Sequence, residues 1–537
     1  MNKFTIVAKT LAGLEEILAK EVETIGGTDI VIGTRMVSYQ GDKQLLYKSN
    51  LWLRTALRVL KPIEEFEASN PDDLYEQVKK IDWTQYVAEG QTIAIDNTIF
   101  SENFRNSRYA IYRAKDAICD FFVEKGMKRP KVAVASADVQ LNLHISDEGS
   151  NGASLCQFSL DSSGEPLYKR GYKEQLTDAP ISEVLAAGIL LKAGWDGQRD
   201  LIDPMCGSGT FLVEAALIAT NTPAGIYRKG YGFERWTVGE LAFDADMWQD
   251  LYDDDSQERE FLHHIYGSDI SKVALEITEK NVKSAGLSKY ISLEVKDVED
   301  YLSEQHPAMK NLAEGATAPM LVFNPPYGKR LFTDVPTFYR MVGSVLKKGF
   351  PGTEAWIITS DEATVSYVDP RTGQRKEGEP FDFVGLKPSI KIDMNNGGLT
   401  CQLRKYEMFA GKFNEFRAEG NELDKKSADQ KEEKKFDRVE RKPRAKKDGK
   451  KDDKKPFKKE GKADKKDFKK EGKSDKKFDK KFDKKGADKK ASDKKGDKKS
   501  AEKKPTTRRR VFDPNRPMFA PDTDMSKMVL DYTKKEE

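Results

Sequence analysis

The chain has 537 residues, enough for about three domains with cores of their own. Its formal net charge of +3 hides an asymmetry: residues 1–430 carry −15, residues 431–510 carry +20 and residues 511–537 carry −2, so an acidic, enzyme-like body and a polycationic tail have to be read separately. Four widely spaced cysteines without a C-x-x-C pair exclude a disulfide framework or a structural zinc site, and no run approaches ~18 apolar residues, so no membrane span is expected.

Glu15 and Glu16 interrupt the apolar part of the N-terminal stretch, which a secretory signal would not do, and a cytoplasmic protein is expected. Lys3–Ala8 reads as a strand. Gly13–Ile25 reads as an amphipathic helix with Leu14, Ile17, Leu18 and Val22 on one face, and alternating segments follow at Ile30–Ile32 and Met36–Gln40. The periodicity then predicts helices over Leu45–Leu60, Asp72–Ile81 and Arg108–Glu124, and strands over Thr92–Asn97, Lys131–Ser136, Gln140–Ser146 and Ala153–Leu160. Gly149–Gly152 reads as a hairpin turn between the last two strands. Arg105, Arg108, Arg113 and Lys115 lie among the aromatics Phe104 and Tyr109 and suit phosphate contact and base stacking. On composition alone, a solvated helix face is the better reading of them.

A helix over Ile181–Ala193 carries the stripe Leu185, Ile189 and Leu190. Leu201–Ala216, LIDPMCGSGTFLVEAA, then compresses a strand, a tight bend and the start of a helix. Asp203 ends the strand. Gly207 and Gly209 let the backbone turn sharply and let a bulky ligand lie against it, while the helix N-terminus supplies unbonded N–H groups and a partial positive charge. After the crossover helix Phe211–Thr220, the stretch Asn221–Phe261, rich in Trp, Tyr, Gly and acids, reads as an insertion with a lid or packing role. Strands over Ile265–Asp269 and Ile291–Val295 flank a helix over Lys272–Ala285, and their ends bring Asp269 and Asp297 to the edge where open α/β sheets bind ligands. The apolar run Met320–Phe323 leads directly into Asn324-Pro325-Pro326-Tyr327. A helix (Thr337–Leu346), a strand (Glu354–Thr359) and a hairpin (Ile390–Asp393 with Leu399–Tyr406, around Asn395–Gly398) end the pattern.

Leu201–Ala216 and Asn324–Tyr327, in this order and at strand ends, resemble motif I and the Asn-Pro-Pro-Tyr motif of class I S-adenosylmethionine (SAM) methyltransferases that act on exocyclic amines of bases. The stretch from Ala179 to about Gly411 is similar to their seven-stranded, Rossmann-like sheet. Phe4–Glu21, the Arg113–Ile118 helix and Asp161–Lys173 (DSSGEPLYKRGYK) resemble the ferredoxin-like and THUMP parts of RNA methyltransferases, in which this region binds RNA and sets which nucleotide reaches the active site. The resemblance implies an α/β protein with a ferredoxin-like part (1–48), a THUMP domain (49–160), a SAM methyltransferase domain (161–412) and a Lys-rich disordered tail (413–537) holding a short docking motif at 508–521. It turns Arg105, Arg108, Arg113 and Lys115 into RNA contacts. Lys329 and Arg330, just after the second motif, are candidates for phosphate contact and equally for a solvated surface. Asp203, Gly207 and Gly209 would shape the cofactor turn, Asp269 would accept the ribose hydroxyls, and Asp297 would accept the adenine amino group. The Asn324 side-chain oxygen and the Pro325 carbonyl would accept hydrogen bonds from the target NH₂ and hold its lone pair in line with the departing sulfur. Pro326 stiffens the loop and Tyr327 would stack on the extruded base. No metal and no covalent nucleophile is required, and Cys206 is expected to pack.

The combination is similar to bacterial large-subunit (23S) rRNA guanine-N2 methyltransferases, RlmL-like in their first catalytic half. One branch of that family carries a second methyltransferase domain; here the repeats DKK, FDKK and FKKEGK stand in its place, so the second activity is not expected. Such a tail, almost without aliphatic residues, would add sequence-independent rRNA affinity with steep salt dependence. The expected partner is 23S rRNA or a precursor large-subunit particle. A tRNA guanine-N2 enzyme, an adenine-N6 DNA methyltransferase and a non-catalytic assembly factor are the alternatives. No G-x-x-x-x-G-K-[ST] occurs, and Asp269 lies sixty residues beyond Gly209 instead of ~20, which argues against a phosphate-loop nucleotidase and against NAD.

Overall fold

The computed structural model describes residues 2–133, 137–173, 180–313, 315–326, 334–360, 365–368, 372–396 and 399–409. Tyr327, Lys329, Arg330, the Gly397-Gly398 tip and the Lys-rich tail with its 508–521 motif lie outside them.

The chain opens with β1 (Phe4–Thr10), α1 (Glu15–Ile25), β2 (Thr28–Gly33), β3 (Met36–Gly41) and α2 (Lys43–Trp52), the last capped by Asp42, which accepts the Leu45 N–H at 2.9 Å. The helix expected over Leu45–Leu60 stops at Trp52, and β4 (Ala56–Ala68) takes over. The cause is tertiary. The Glu21 carboxylate of α1 accepts the N–H groups of Arg54 and Thr55 at 2.9 and 3.0 Å, together with the Thr55 hydroxyl, and so takes the amides that a continuing helix would bond internally. Then follow α3 (Pro71–Lys80), β5 (Thr92–Phe100), α4 (Ser107–Glu124), β6 (Lys131–Val132), β7 (Val139–Ser146) and β8 (Ser154–Asp161). β4 pairs with β1 through Ala56–Leu60 and with β8 through Leu60–Ala68. One sheet of order β2-β3-β1-β4-β8-β7-β5-β6 therefore serves both the ferredoxin-like and the THUMP part. The small residues Ala110, Ala114 and Ala117 let α4 pack closely on α3 and β5.

The second half runs α5 (Glu183–Lys192), β9 (Leu201–Asp203), α6 (Thr210–Ala219), α7 (Ala245–Asp253), β10 (Ile265–Asp269), α8 (Lys272–Ser284), β11 (Ile291–Val295), a one-turn α9 (Pro307–Lys310), β12 (Met320–Phe323), α10 (Val335–Gly349), β13 (Glu354–Ser360), β14 (Val365–Val368), β15 (Arg375–Gly378), β16 (Ile390–Asn396) and β17 (Leu399–Glu407). Five parallel strands lie in the order β11-β10-β9-β12-β13, and antiparallel β17 and β16 complete a seven-stranded sheet. The strand order reverses direction between β9 and β12, which opens a crevice at the carboxyl ends of those strands. β14 and β15 pair only with each other; strands of four residues are too short to carry a periodic signal, and the sequence does not announce them.

The insertion Asn221–Phe261 packs. Tyr47 of α2 stacks on Phe233 at 4.2 Å, and Trp248 of α7 meets Tyr231 and Phe233 edge-on at 5.3 and 5.1 Å. Gln91 donates to the Arg235 carbonyl at 2.9 Å and Arg235 donates to the Ala137 carbonyl at 3.1 Å, so the same segment also grips the THUMP side of the front sheet. Among the described residues no helix is long and apolar enough to cross a membrane.

Candidate cofactor and transfer site

β9 is three residues long because Pro204, without an N–H, cannot continue a central strand. Asp203 is buried and accepts the Met205 N–H at 3.1 Å. Burial pushes its carboxyl well above the ordinary range; the Met205 N–H opposes that push and the nearby Asp269 charge adds to it. Asp269, at the end of β10, accepts the Gly207 N–H at 3.0 Å with one oxygen and the Ser271 N–H at 2.8 Å with the other. Both oxygens keep further lone pairs, and the residue stays half-exposed.

The two glycines of the bend do different work. Both have positive φ, +54° at Gly207 and +77° at Gly209. A Cβ on Gly209 would stand 2.5 Å from Thr278 Cγ2, so this glycine is demanded by packing against α8. A Cβ on Gly207 would meet nothing within 4 Å, so this glycine borders open space where a ligand can lie against the backbone. Thr278 and Asn281 hold the bend from behind: the Thr278 hydroxyl donates to the Gly207 carbonyl at 2.6 Å and the Asn281 amide to the Ser208 carbonyl at 3.0 Å. Sequence reasoning missed both. Their signal is slight, two polar residues one turn apart on the face that also buries Leu275 and Val282. α6 follows with all ten of its residues buried, and its first-turn N–H groups lie at the bend.

Asp297 starts the short turn Val298–Leu302, accepting the Glu299 N–H at 3.0 Å while remaining half-exposed. Ile270, directly after Asp269, is 68% exposed, an apolar side chain left open at this edge. Cys206 is buried; burial drives its thiol far up and its charged neighbours are Asp203 and Asp269, so it packs and is not activated. Across the switch point, Leu321 lies opposite Ile202 and Phe323 opposite Ile357, which puts Asn324 on the same edge as Asp203. Asn324 and Pro326 are half-buried and Pro325 is buried. Thus the edge offers two partly free carboxylates, backbone N–H groups and open space over a glycine, a donor set that fits a zwitterionic, ribose-bearing cofactor. An amide and a proline carbonyl stand beside it.

The basic residues of the front sheet divide. Arg113 is bonded to Asp72 at 2.7 Å and lies over the Tyr75 ring at 4.3 Å, which makes it part of the α3–α4 contact. Lys115 pairs with Asp116 at 2.7 Å, and the exposed Arg105 pairs with Glu102 at 2.6 Å. Arg108 is exposed, next to the exposed rings of Tyr109 and Tyr112, whereas Phe104 is buried.

Comparison with known proteins agrees with this geometry. The family model described as "RMKL-like, methyltransferase domain" matches residues 170–384, "RlmL ferredoxin-like domain" matches 5–60 and "THUMP domain" matches 68–150. A Synechocystis sp. protein named "Putative RNA methyltransferase" is 34% identical over 410 residues, 76% of this chain and 96% of its own length. The chain belongs to the THUMP-containing, RlmL-like methyltransferase family. The RlmL-like architecture is shared with a solved structure named "possible methylase" from Clostridium difficile 630, 28% identical at a TM-score of 0.62, covering 76% of this chain and 100% of that one. It is shared too with "SMU.472, a putative methyltransferase complexed with SAH", 25% identical at a TM-score of 0.59, covering 77% and 100%. SAM is the cofactor of this RlmL-like chain.

Proposed function

We propose that the chain transfers the methyl group of SAM to the exocyclic N2 amine of a guanine in RNA, either 23S rRNA or a precursor large-subunit particle. The observation that carries this reading is Asn324-Pro325-Pro326 at the end of β12, across the switch point from the bend held by Asp269 and Thr278. A guanine N2 lone pair is delocalised into the ring, so the amine is a poor nucleophile until both of its N–H bonds are held. The Asn324 side-chain oxygen and the Pro325 carbonyl each accept one of those N–H groups and leave the lone pair aimed at the donor. Bound SAM supplies a methyl group on a positively charged sulfur. Asp269 would accept from its ribose and Asp297 from its adenine amino group, and the exposed Ile270 would give the ring an apolar wall. Buried proline at 325 fixes the carbonyl, and Tyr327 stacks on the base turned out of its strand.

RNA as the substrate is supported by the THUMP match and by the name of the Synechocystis relative. Arg105 and Arg108, with Tyr109 beside them, are the front-sheet residues most open to it; Arg113 and Lys115 contribute through the shape of α4, and Lys329 and Arg330 meet phosphates next to the transfer loop. The test compares RNA from a strain lacking the gene with RNA from its parent by nucleoside mass spectrometry. N2-methylguanosine should disappear from large-subunit rRNA. Loss confined to tRNA would move the substrate and keep the mechanism, and unchanged N2-methylguanosine in both would overturn the reading.

A further inference from the structure

A cluster of buried charge, away from the transfer edge, joins the front sheet to the helix that carries the cofactor bend. Arg54, just before β4, is buried, and its Nη2 donates to the carbonyls of Leu217 in α6 at 3.2 Å and of Thr222 just beyond at 2.9 Å. The Arg54 carbonyl in turn accepts a hydrogen bond from Nη2 of Arg170, whose Nη1 donates to the Leu167 carbonyl at 2.9 Å. Nε of Arg170 stands 3.6 Å from Glu214, a fully buried carboxylate inside α6 that also accepts the Tyr172 hydroxyl at 3.1 Å. Glu21 closes the front side through the N–H groups of Arg54 and Thr55. From the insertion, Arg228 donates to the carbonyls of Ser163, Glu165, Pro166 and Lys169 at 2.8–3.3 Å. Burial holds the Arg54 guanidinium down at about 10 and pushes the Glu21 and Glu214 carboxyls up.

Stability alone does not call for this. Apolar residues of the same shape hold two parts together as well or better, because buried ions carry a desolvation penalty. Among the described residues, Arg54 Nη1 and Glu214 Oε2 are even buried without a hydrogen-bond partner, so the cluster is energetically incomplete. What it supplies is direction: a planar guanidinium bonded to fixed carbonyls permits one relative placement, where apolar surfaces permit sliding. Its two ends matter for the reaction. It starts at β4, the strand common to both parts of the front sheet, and it ends on α6, whose opposite end, about 15 Å away along ten residues, forms the cofactor bend.

We propose that Arg54, Arg170 and Glu214 are positioning residues, a rigid spacer that fixes the distance between the RNA-gripping front sheet and the methyl donor and thereby selects the nucleotide that is methylated. This rests on the RNA methyl-transfer reading above, and the test keeps the two apart. In the full chain, Val123 and Glu276, both exposed and on α4 and α8, are changed to cysteine and spin-labelled; the four native cysteines are buried. The distance distribution between the labels is measured by pulsed electron resonance, and methylated nucleotides are mapped on bulk rRNA and tRNA from a deletion strain. The parent should give one narrow distance. Arg54→Met should broaden it, leave SAM affinity within about twofold of the parent, and send at least about a tenth of the methyl groups to neighbouring nucleotides. Arg54→Lys, which keeps the charge and loses the fork, should do the same to a smaller extent and covers the case in which Arg54→Met does not fold. Leu143→Ala, a cavity in the front-sheet core, should lower stability with the distance and the methylated nucleotide unchanged. A broad distance in the parent, a narrow one in the Arg54 variants, or a broad one with an unshifted nucleotide would each overturn the spacer. A parent that methylates neither RNA, nor precursor large-subunit particles from the same strain, would overturn the transfer reading, while the distance measurement still decides whether the joint is rigid.

Discussion

The transfer edge and the joint behind it are both built from charged side chains bonded to backbone, with the signs exchanged. At the edge, Asp203, Asp269 and Asp297 accept the N–H groups of Met205, Gly207, Ser271 and Glu299, and Asp269 and Asp297 stay half-exposed. At the joint, Arg54, Arg170 and Arg228 donate to carbonyls, and Arg54 and Arg170 are sealed from water. A carboxylate at the margin of solvent keeps lone pairs for an arriving ligand. A guanidinium sealed among carbonyls is out of a ligand's reach and serves to hold a geometry. Exposure, more than bond type, separates a recruiting cluster from a fixing one.

Substitutions on either side can break or sharpen that contrast. The largest effect belongs at the edge: Asn324→Ala should lower kcat/KM for RNA about 10³-fold while calorimetry finds SAM binding within about twofold of the parent, because the lost acceptor acts on the amine and not on the cofactor. At the joint the loss is in stability. Arg170→Met, which strands Glu214, should cost about 3–5 kcal/mol in urea unfolding, and Arg170→Met with Glu214→Leu should recover most of it. If the double variant is no better than the single one, Glu214 is not held by Arg170.

A sealed group also stands behind the edge. His306 lies among the rings of Tyr266, Tyr301 and Phe350 at 5.0, 5.3 and 5.9 Å, and burial, followed by the Lys296 charge, lowers its pKa to about 4. The unfolded chain takes up this proton near pH 6.5 and the folded chain only near 4, so stability is complete above about 6.5 and is lost as pH falls toward 4, by up to about 3 kcal/mol. Unfolding of His306→Phe followed across that window should lack this limb. Smallest are the glycines. Gly209→Ala should cost about 1–3 kcal/mol, since a positive φ and the Thr278 contact both oppose it. Gly207→Ala should cost about 1 kcal/mol of stability and weaken SAM binding, since its Cβ meets nothing within 4 Å and enters the open space proposed for the cofactor.

The edge was legible in the sequence because its parts are contiguous: strand, bend and helix fall within Leu201–Ala216, and the second motif directly follows an apolar run. Most of the order of helices and strands was legible for the same reason, but β4, α7, α9 and the β14–β15 pair were not. Distant partners were not. Glu21 ends the helix at Trp52 by bonding Arg54, 33 residues away, and nothing within Leu45–Leu60 reports it. Thr278 and Asn281 look like ordinary helix residues until the bend rests on them. The joint is the least legible part, because Arg54 and Arg228 bond to carbonyls, which every residue possesses, and Glu214, the carboxylate facing Arg170, lies far along the chain inside an otherwise apolar helix.

The most direct test of the account is methyl transfer in vitro: the purified full chain, SAM tritiated on its methyl group, and RNA from cells lacking the protein, with the labelled product resolved as nucleosides by mass spectrometry. Label should be recovered as N2-methylguanosine from large-subunit rRNA. Label on a different nucleoside would contradict the assigned amine, and a chain that does not bind SAM at all would contradict the cofactor edge itself.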